Sequence, residues 1–210
     1  AQAYASFASA FVENEDKDYA RVLYKKAKVY ALRSLKIRGL KDPVSSPFNE
    51  FEAELSNLGK DDVPYMFWTG TCWGSWIRLN LGSMAALAEL PRVAALMKRV
   101  LLLDEQFYYG GPHLFMGIWF ASRPKIAGGD LAKAELHFKK ALEFSQNKFL
   151  MTHIYYADQY ARKAFDKDLF VATLEKVLDT PADDMPELTL LNTVAHKRAK
   201  EMLEQLDDYF

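Results

Sequence analysis

Small residues recur at helical spacing with a large apolar residue between them, and this constrains the chain more than any other feature. The pattern A-x3-F-x2-A occurs as Ala20, Tyr24, Ala27 and again as Ala134, Phe138, Ala141. Softer copies are Val93, Met97, Val100 and Phe170, Leu174, Val177. Ahead of these stand Ala8 with Phe11, Gly117 with Phe120, Ala157 with Tyr160 and, more weakly, Gly74 with Ile77. A small residue on one helix admits close approach of another, and the aromatic packs beside it. Four such helix pairs in order are the signature of a tetratricopeptide-like array. No hairpin turn and no sustained alternation of apolar and polar residues appears, so the predicted fold is all-α.

The repeats are expected near residues 1–38, 63–104, 108–144 and 149–182. A helix over 186–210 serves as the cap that a solenoid needs on its last apolar face. Together they make one helical-repeat domain over 1–210. Half of the chain is hydrophobic and 14% is aromatic, enough for a sizeable core. Along the chain, Asp18 is the expected cap of a long second helix closed by Gly39. Its apolar face is expected from Tyr19, Val22, Leu23, Lys26, Ala27, Tyr30 and Ala31. Lys41–Pro47 reads as a loop, followed by a short helix over 48–58. Pro64 opens a Trp-rich helix to about Asn80, apolar nearly all round and expected in the centre. Arg123–Gly129 is an insertion within the third repeat, and a longer one interrupts the second.

Charge and reactive residues exclude several functions. A net charge of −1 gives no basic field for nucleic acid. The single cysteine, Cys72, allows no internal disulfide and no multi-cysteine metal site. No two of His113, His137, His153 and His196 stand at i, i+4, so no metal site is expected. Gly110-Gly111-Pro112 and Gly128-Gly129-Asp130 lack the ending and the preceding strand of a phosphate loop, and read as tight turns, with Asp130 capping the next helix. Cys72 reads as a buried small hydrophobe. No cofactor is implied. No apolar run is long enough for a membrane helix.

The aromatic excess is more informative. Trp68, Trp73, Trp76, Tyr108, Tyr109, Phe115, Trp119, Tyr155 and Tyr156 fall on central first helices of the pairs. In the register of the small residues, Trp68, Leu114, Ile118, Met151, Ile154 and Asp158 face inward. Core packing and a ligand cavity both account for such a lining. If a ligand binds, Trp68, Trp73, Leu114, Ile118, Met151, Ile154 and Tyr155 supply apolar contact, with His113 or Asp158 at a polar end.

Three segments carry a resemblance to a known family. They are YYGGPHLFMGIWFASRPKIAGGDLAKAELHFKKAL, HIYYADQYARKAFDKDLF and PELTLLNTVAHKRAKEMLEQLDDYF. With them the chain resembles the TatT family, the tetratricopeptide-like components associated with tripartite ATP-independent periplasmic (TRAP) transporters. The elements G-G-P-H, R-P-x3-G-G-D and L-x-N-x2-A are specific as a set. The resemblance implies four cryptic repeats, no catalysis, and a cavity or pore for a small hydrophobic ligand. It implies work in the periplasm beside a TRAP substrate-binding protein, with lipid anchoring at the N-terminus, although no lipobox cysteine stands in this sequence. Homo-oligomers, trimers among them, occur in the family. Two rival readings remain: a generic peptide-binding tetratricopeptide scaffold, and an enzyme using His113, Asp158 or Cys72.

Overall fold

The computed structural model describes all 210 residues. It is 77% helical and contains no strand. The chain divides into two compact units, Ala1–Phe107 and Tyr108–Phe210.

In the first unit, α1 (Gln2–Phe7) runs on as a π-helical turn, Ala8–Val12. The Glu13 amide donates to the Ala8 carbonyl at 2.9 Å, five residues back. Helix α2 (Lys17–Ile37) is capped by Asp16, not by Asp18. Asp16 has extended backbone, and its carboxylate accepts the Tyr19 amide at 2.9 Å. Asp18 already lies in the first turn, where it pairs with Arg21 and suits the helix dipole. The helix stops as expected before Gly39, whose φ of +116° lets the Leu40 amide reach back to the Leu35 carbonyl.

The buried face of α2 departs from the expected one. Leu23, Ala27 and Ala31 are buried, joined by Ala20, Tyr24 and Lys28. Tyr19, Val22, Lys26 and Tyr30 are exposed. Apolar residues ring most of this helix, so spacing alone does not choose a face. Its neighbours choose it: α2 packs against α1 on one side and α4 on another.

Helix α3 (Phe48–Ser56) buries Phe51 and Leu55 and packs on α6. Helix α4 (Val63–Arg78) begins with Pro64 in its first turn. A short α5 (Met84–Ala88) leads to α6 (Leu90–Leu103). Helix α4 is central to the unit, as its composition predicts, with α2 and α6 both against it. Thr69 Oγ1 donates to the Ala31 carbonyl at 3.0 Å, fixing α4 on α2. A Cβ on Gly70 would stand 2.8 Å from Met97 Cε, so the missing side chain sets the approach of α6. Arg99 donates to the Ser56 and Leu58 carbonyls and ties the end of α3 to α6.

The second unit opens on a kink. Helix α7 (Phe107–Ala121) has Tyr108, Tyr109 and Gly110 in the left-handed region before regular geometry resumes through Gly111 and Pro112. Helix α8 (Leu131–Phe144) is capped by Asp130 as expected, with the Lys133 amide 3.1 Å from its carboxylate. Gly117 lies against the Phe138 ring, which an added Cβ would approach to 3.0 Å. Helix α9 (Leu150–Tyr155) passes through a π-helical stretch, Tyr156–Ala161, into α10 (Arg162–Ala164). Helix α11 (Lys167–Asp179) follows, then α12 (Thr189–Glu204) and α13 (Leu206–Tyr209). Helix α12 packs on both α9 and α11 and buries Ala195 and Ala199 there. Fully enclosed side chains such as Phe138 and Phe170 each contribute about 1.5–3 kcal/mol by leaving water.

Candidate functional site

In the first unit, Trp73 projects from the middle of α4 and is wholly enclosed. Its indole N–H donates to the Glu89 carboxylate. Glu89 also receives the Lys28 ammonium from α2, which lies 3.8 Å above the centroid of the Trp76 ring. Burial lowers the Lys28 pKa, and the hydrogen bond that Lys28 donates to Glu89 opposes that shift. Three elements therefore meet at one ion pair under two indoles. Trp68 is half-buried, with its ring edge-on to Phe67 at 5.3 Å. Of the two candidate indoles of this unit, only Trp68 has accessible surface. Cys72 is enclosed, and burial pushes its thiol up to about 12, so it stays protonated at neutral pH.

In the second unit, Leu114, Met151, Ile154 and Tyr155 share one apolar cluster with α11 and α12. Leu114 and Tyr155 also border the neighbouring cluster around Phe138, which Ile118 joins. Met151 and Ile154 are buried, whereas Leu114, Ile118 and Tyr155 are half-buried. The apolar candidates of this unit are thus brought together. Asp158 follows Ile154 by one turn and accepts from Arg162 and Gln159. The Arg162 guanidinium sits 4.0 Å over the Tyr209 ring.

His113 is buried at the start of α7's regular part, and its Nδ1 lies 2.8 Å from Nδ1 of His137. At that separation one ring must donate and the other accept. Burial, then His113, push the His137 pKa down to about 4. His113 also packs on Phe144, with ring centroids 5.6 Å apart. It therefore serves a helix-to-helix contact. Sequence reading did not pair these histidines, since their 24-residue separation carries no periodic signal.

His153 and Asn192 were likewise not singled out. Burial pushes His153 down to about 4, and its Nε2 has no partner. Asn192, in the L-x-N-x2-A element, is fully buried. Its Oδ1 accepts the Leu150 amide at 3.0 Å, and its Nδ2 donates to the Lys148 and Ala182 carbonyls. A polar residue in register with the buried alanines of an amphipathic helix, as Asn192 is with Ala195 and Ala199, is the signal that finds such a clasp. No group of three or more His, Cys, Asp and Glu is arranged around a metal position.

The glycine elements behave as geometry. Gly110 has φ +75°, and a Cβ there would stand 3.0 Å from the Ala141 backbone. A Cβ on Gly129 would fall 1.9 Å from the Arg123 carbonyl oxygen. With these elements placed, the full length of the sequence, residues 1–210, matches the family described as the TRAP transporter T-component. The chain belongs to that family. Membership gives it an accessory role in TRAP transport and an association with other TRAP proteins. No curated protein matches the chain. No helix of this T-component is long and apolar enough to cross a membrane.

Proposed function

We propose that this T-component is a non-catalytic, ligand- and partner-binding accessory subunit working in the periplasm beside a TRAP substrate-binding protein. Its helices are read as four tetratricopeptide-like repeats near 1–38, 63–104, 108–144 and 149–182, with 186–210 as the cap. In support, Ala20, Tyr24 and Ala27 are buried together, as are Ala134, Phe138 and Ala141, and the two softer registers likewise.

One observation carries the ligand reading. Leu114, Met151, Ile154 and Tyr155 converge in a single cluster, with the Asp158–Arg162 ion pair one turn away. An apolar lining with a fixed charge at its side suits a small hydrophobic molecule that has one polar end. His113 is spent on His137, so Asp158 is the better polar anchor. Trp68 is the accessible indole of the first unit. Oligomerisation and a lipid anchor at the N-terminus complete the reading.

Native mass spectrometry of the purified protein tests ligand and subunit number together. A retained small hydrophobic molecule, with capture of a TRAP substrate-binding protein in a pull-down, supports this reading. Capture of varied peptides, with nothing in an organic extract, points instead to a peptide-binding scaffold.

A further inference from the structure

The outward face of α2 is unlike the rest of the chain. From Lys17 through Arg38, both included, there are eight Lys and Arg, Lys17 opening the helix, and one acidic residue, Asp18, in a chain of net charge −1. Arg21, Lys28 and Arg38 are engaged with Asp18, Glu89 and Asp62. Lys25, Lys26, Arg33 and Lys36 are exposed and form no ion pair. Between them, at helical spacing, Tyr19, Val22 and Tyr30 are about half exposed and Ile37 is 78% exposed.

Helix α1 and its π-helical turn extend this surface. Phe7 and Phe11 are 47% and 52% exposed, with ring centroids 5.6 Å apart. A recess of about 340 Å³, lined by Tyr4, Phe7, Tyr19 and Leu23 among others, joins α1 to α2. Tyr4 stacks on Tyr30 at 5.9 Å, and Lys26 Nζ lies 5.6 Å from the Tyr4 ring centroid. Exposed aromatic rings and unpaired cations thus form one continuous strip.

We propose that this α1–α2 face docks on an anionic phospholipid surface. Rings and aliphatic stems enter the headgroup zone, and the ammonium and guanidinium groups pair with lipid phosphates. Charge complementarity selects the anionic surface, since four free cations share the strip with no unpaired carboxylate of α2. Aromatic and basic residues interleaved along a 21-residue helix fit a planar interface better than an acidic protein, which would want polar partners in place of the rings. The contact is independent of the ligand reading and of any covalent anchor.

Co-sedimentation of the unlipidated chain with vesicles tests it. One set is phosphatidylcholine alone, the other phosphatidylcholine with phosphatidylglycerol in about equal parts. Binding to the second set only, fading by about 0.5 M salt, is expected. The pair Lys26→Glu, Arg33→Glu weakens it by at least about tenfold. The pair Phe7→Ser, Phe11→Ser weakens it with the salt dependence retained. Circular dichroism confirms that both variants keep the helical fold. No binding to anionic vesicles, or equal binding to both sets, overturns the proposal. Self-association of the wild type that these substitutions abolish, without vesicle binding, overturns it in favour of a second copy.

Discussion

Lys28 and Glu89 lie 61 residues apart and form an ion pair with little access to solvent. The Lys28 side chain is 11% exposed and that of Glu89 18%. Glu89 also holds the Trp73 indole, so one carboxylate satisfies two buried donors. A pair of this kind adds little net stability against a matched apolar pair, but removing one partner is expensive. Glu89→Ala is expected to lower unfolding free energy by about 3–4 kcal/mol in urea. Lys28→Met is expected to cost less, since Glu89 keeps the Trp73 indole N–H as a donor, whereas Glu89→Ala leaves both Lys28 and the indole unpaired. Equal losses for both would sink this account.

Acid is expected to destabilise the second unit. An unfolded histidine titrates near 6.5, whereas His153 is held at about 4 by burial. Between those values the unfolded chain binds a proton that the folded chain refuses. The stability linked to His153 is therefore complete above pH 6.5 and lost as pH falls towards 4. Its ceiling is on the order of 3 kcal/mol. His137 adds in the same direction but less, because its imidazole is only partly buried and solvent screens it. Urea unfolding at several pH values checks this. His153→Asn should flatten the slope, and an unchanged slope would remove His153 as its source.

Asn192 satisfies one amide and two carbonyls from three separate points of the chain. Its replacement by Leu fills the volume but removes all three bonds. The expected cost is about 2–4 kcal/mol. Asn192→Asp is informative, because a carboxylate still accepts from Leu150 but cannot donate. It should be nearly as damaging as Leu, and near-wild-type melting of the Asp variant would contradict the clasp.

Gly110 is under two demands at once. Its backbone is left-handed, and the space where a Cβ would sit is closed by the Ala141 backbone. At Gly117 the backbone is helical, and the nearest atoms to an added Cβ belong to a side chain, the Phe138 ring. Gly110→Ala is expected to cost about 2–4 kcal/mol, from strain and contact together. Gly117→Ala should cost about 1–2 kcal/mol and be partly rescued by Phe138→Leu. Thermal melts of the three variants decide the order.

The helices and their small-residue contacts were readable because both are local. Asp130 caps α8 where expected, and Ala134, Phe138 and Ala141 are all enclosed. What could not be read depends on neighbours distant in sequence. Asp16 and Asp18 are both competent caps, and only the extended backbone at Asp16 separates them. On α2, Val22 and Leu23 look alike, yet α1 and α4 cover one and leave the other in water. The candidate site shows the same limit. Leu114, Met151, Ile154 and Tyr155 do assemble, but the pairing of His113 with His137 had no trace in spacing. The π-helical turns at Ala8–Val12 and Tyr156–Ala161 had none either, since one extra residue in a turn leaves composition unchanged.

The two indoles of α4 should part company on mutation. Trp73 is fully enclosed and hydrogen-bonded to Glu89, so its ring is a structural element of the first unit. Trp73→Ala opens a cavity and takes one of two donors from Glu89, which keeps Lys28, with an expected loss of about 3–5 kcal/mol. Trp68 is half-buried, and its contact with Phe67 is edge-on at 5.3 Å. Trp68→Ala is expected to cost less than Trp73→Ala, about 1–2 kcal/mol, because Trp68 is only partly buried. If Trp68 meets the ligand, this stable variant should retain less small molecule in native mass spectrometry. Ile154→Ala offers the matching test in the second unit: if the buried Ile154 borders the proposed ligand, its truncation should weaken retention along with stability. A Trp68→Ala protein that melts like wild type and keeps its full ligand load would take Trp68 out of the binding surface.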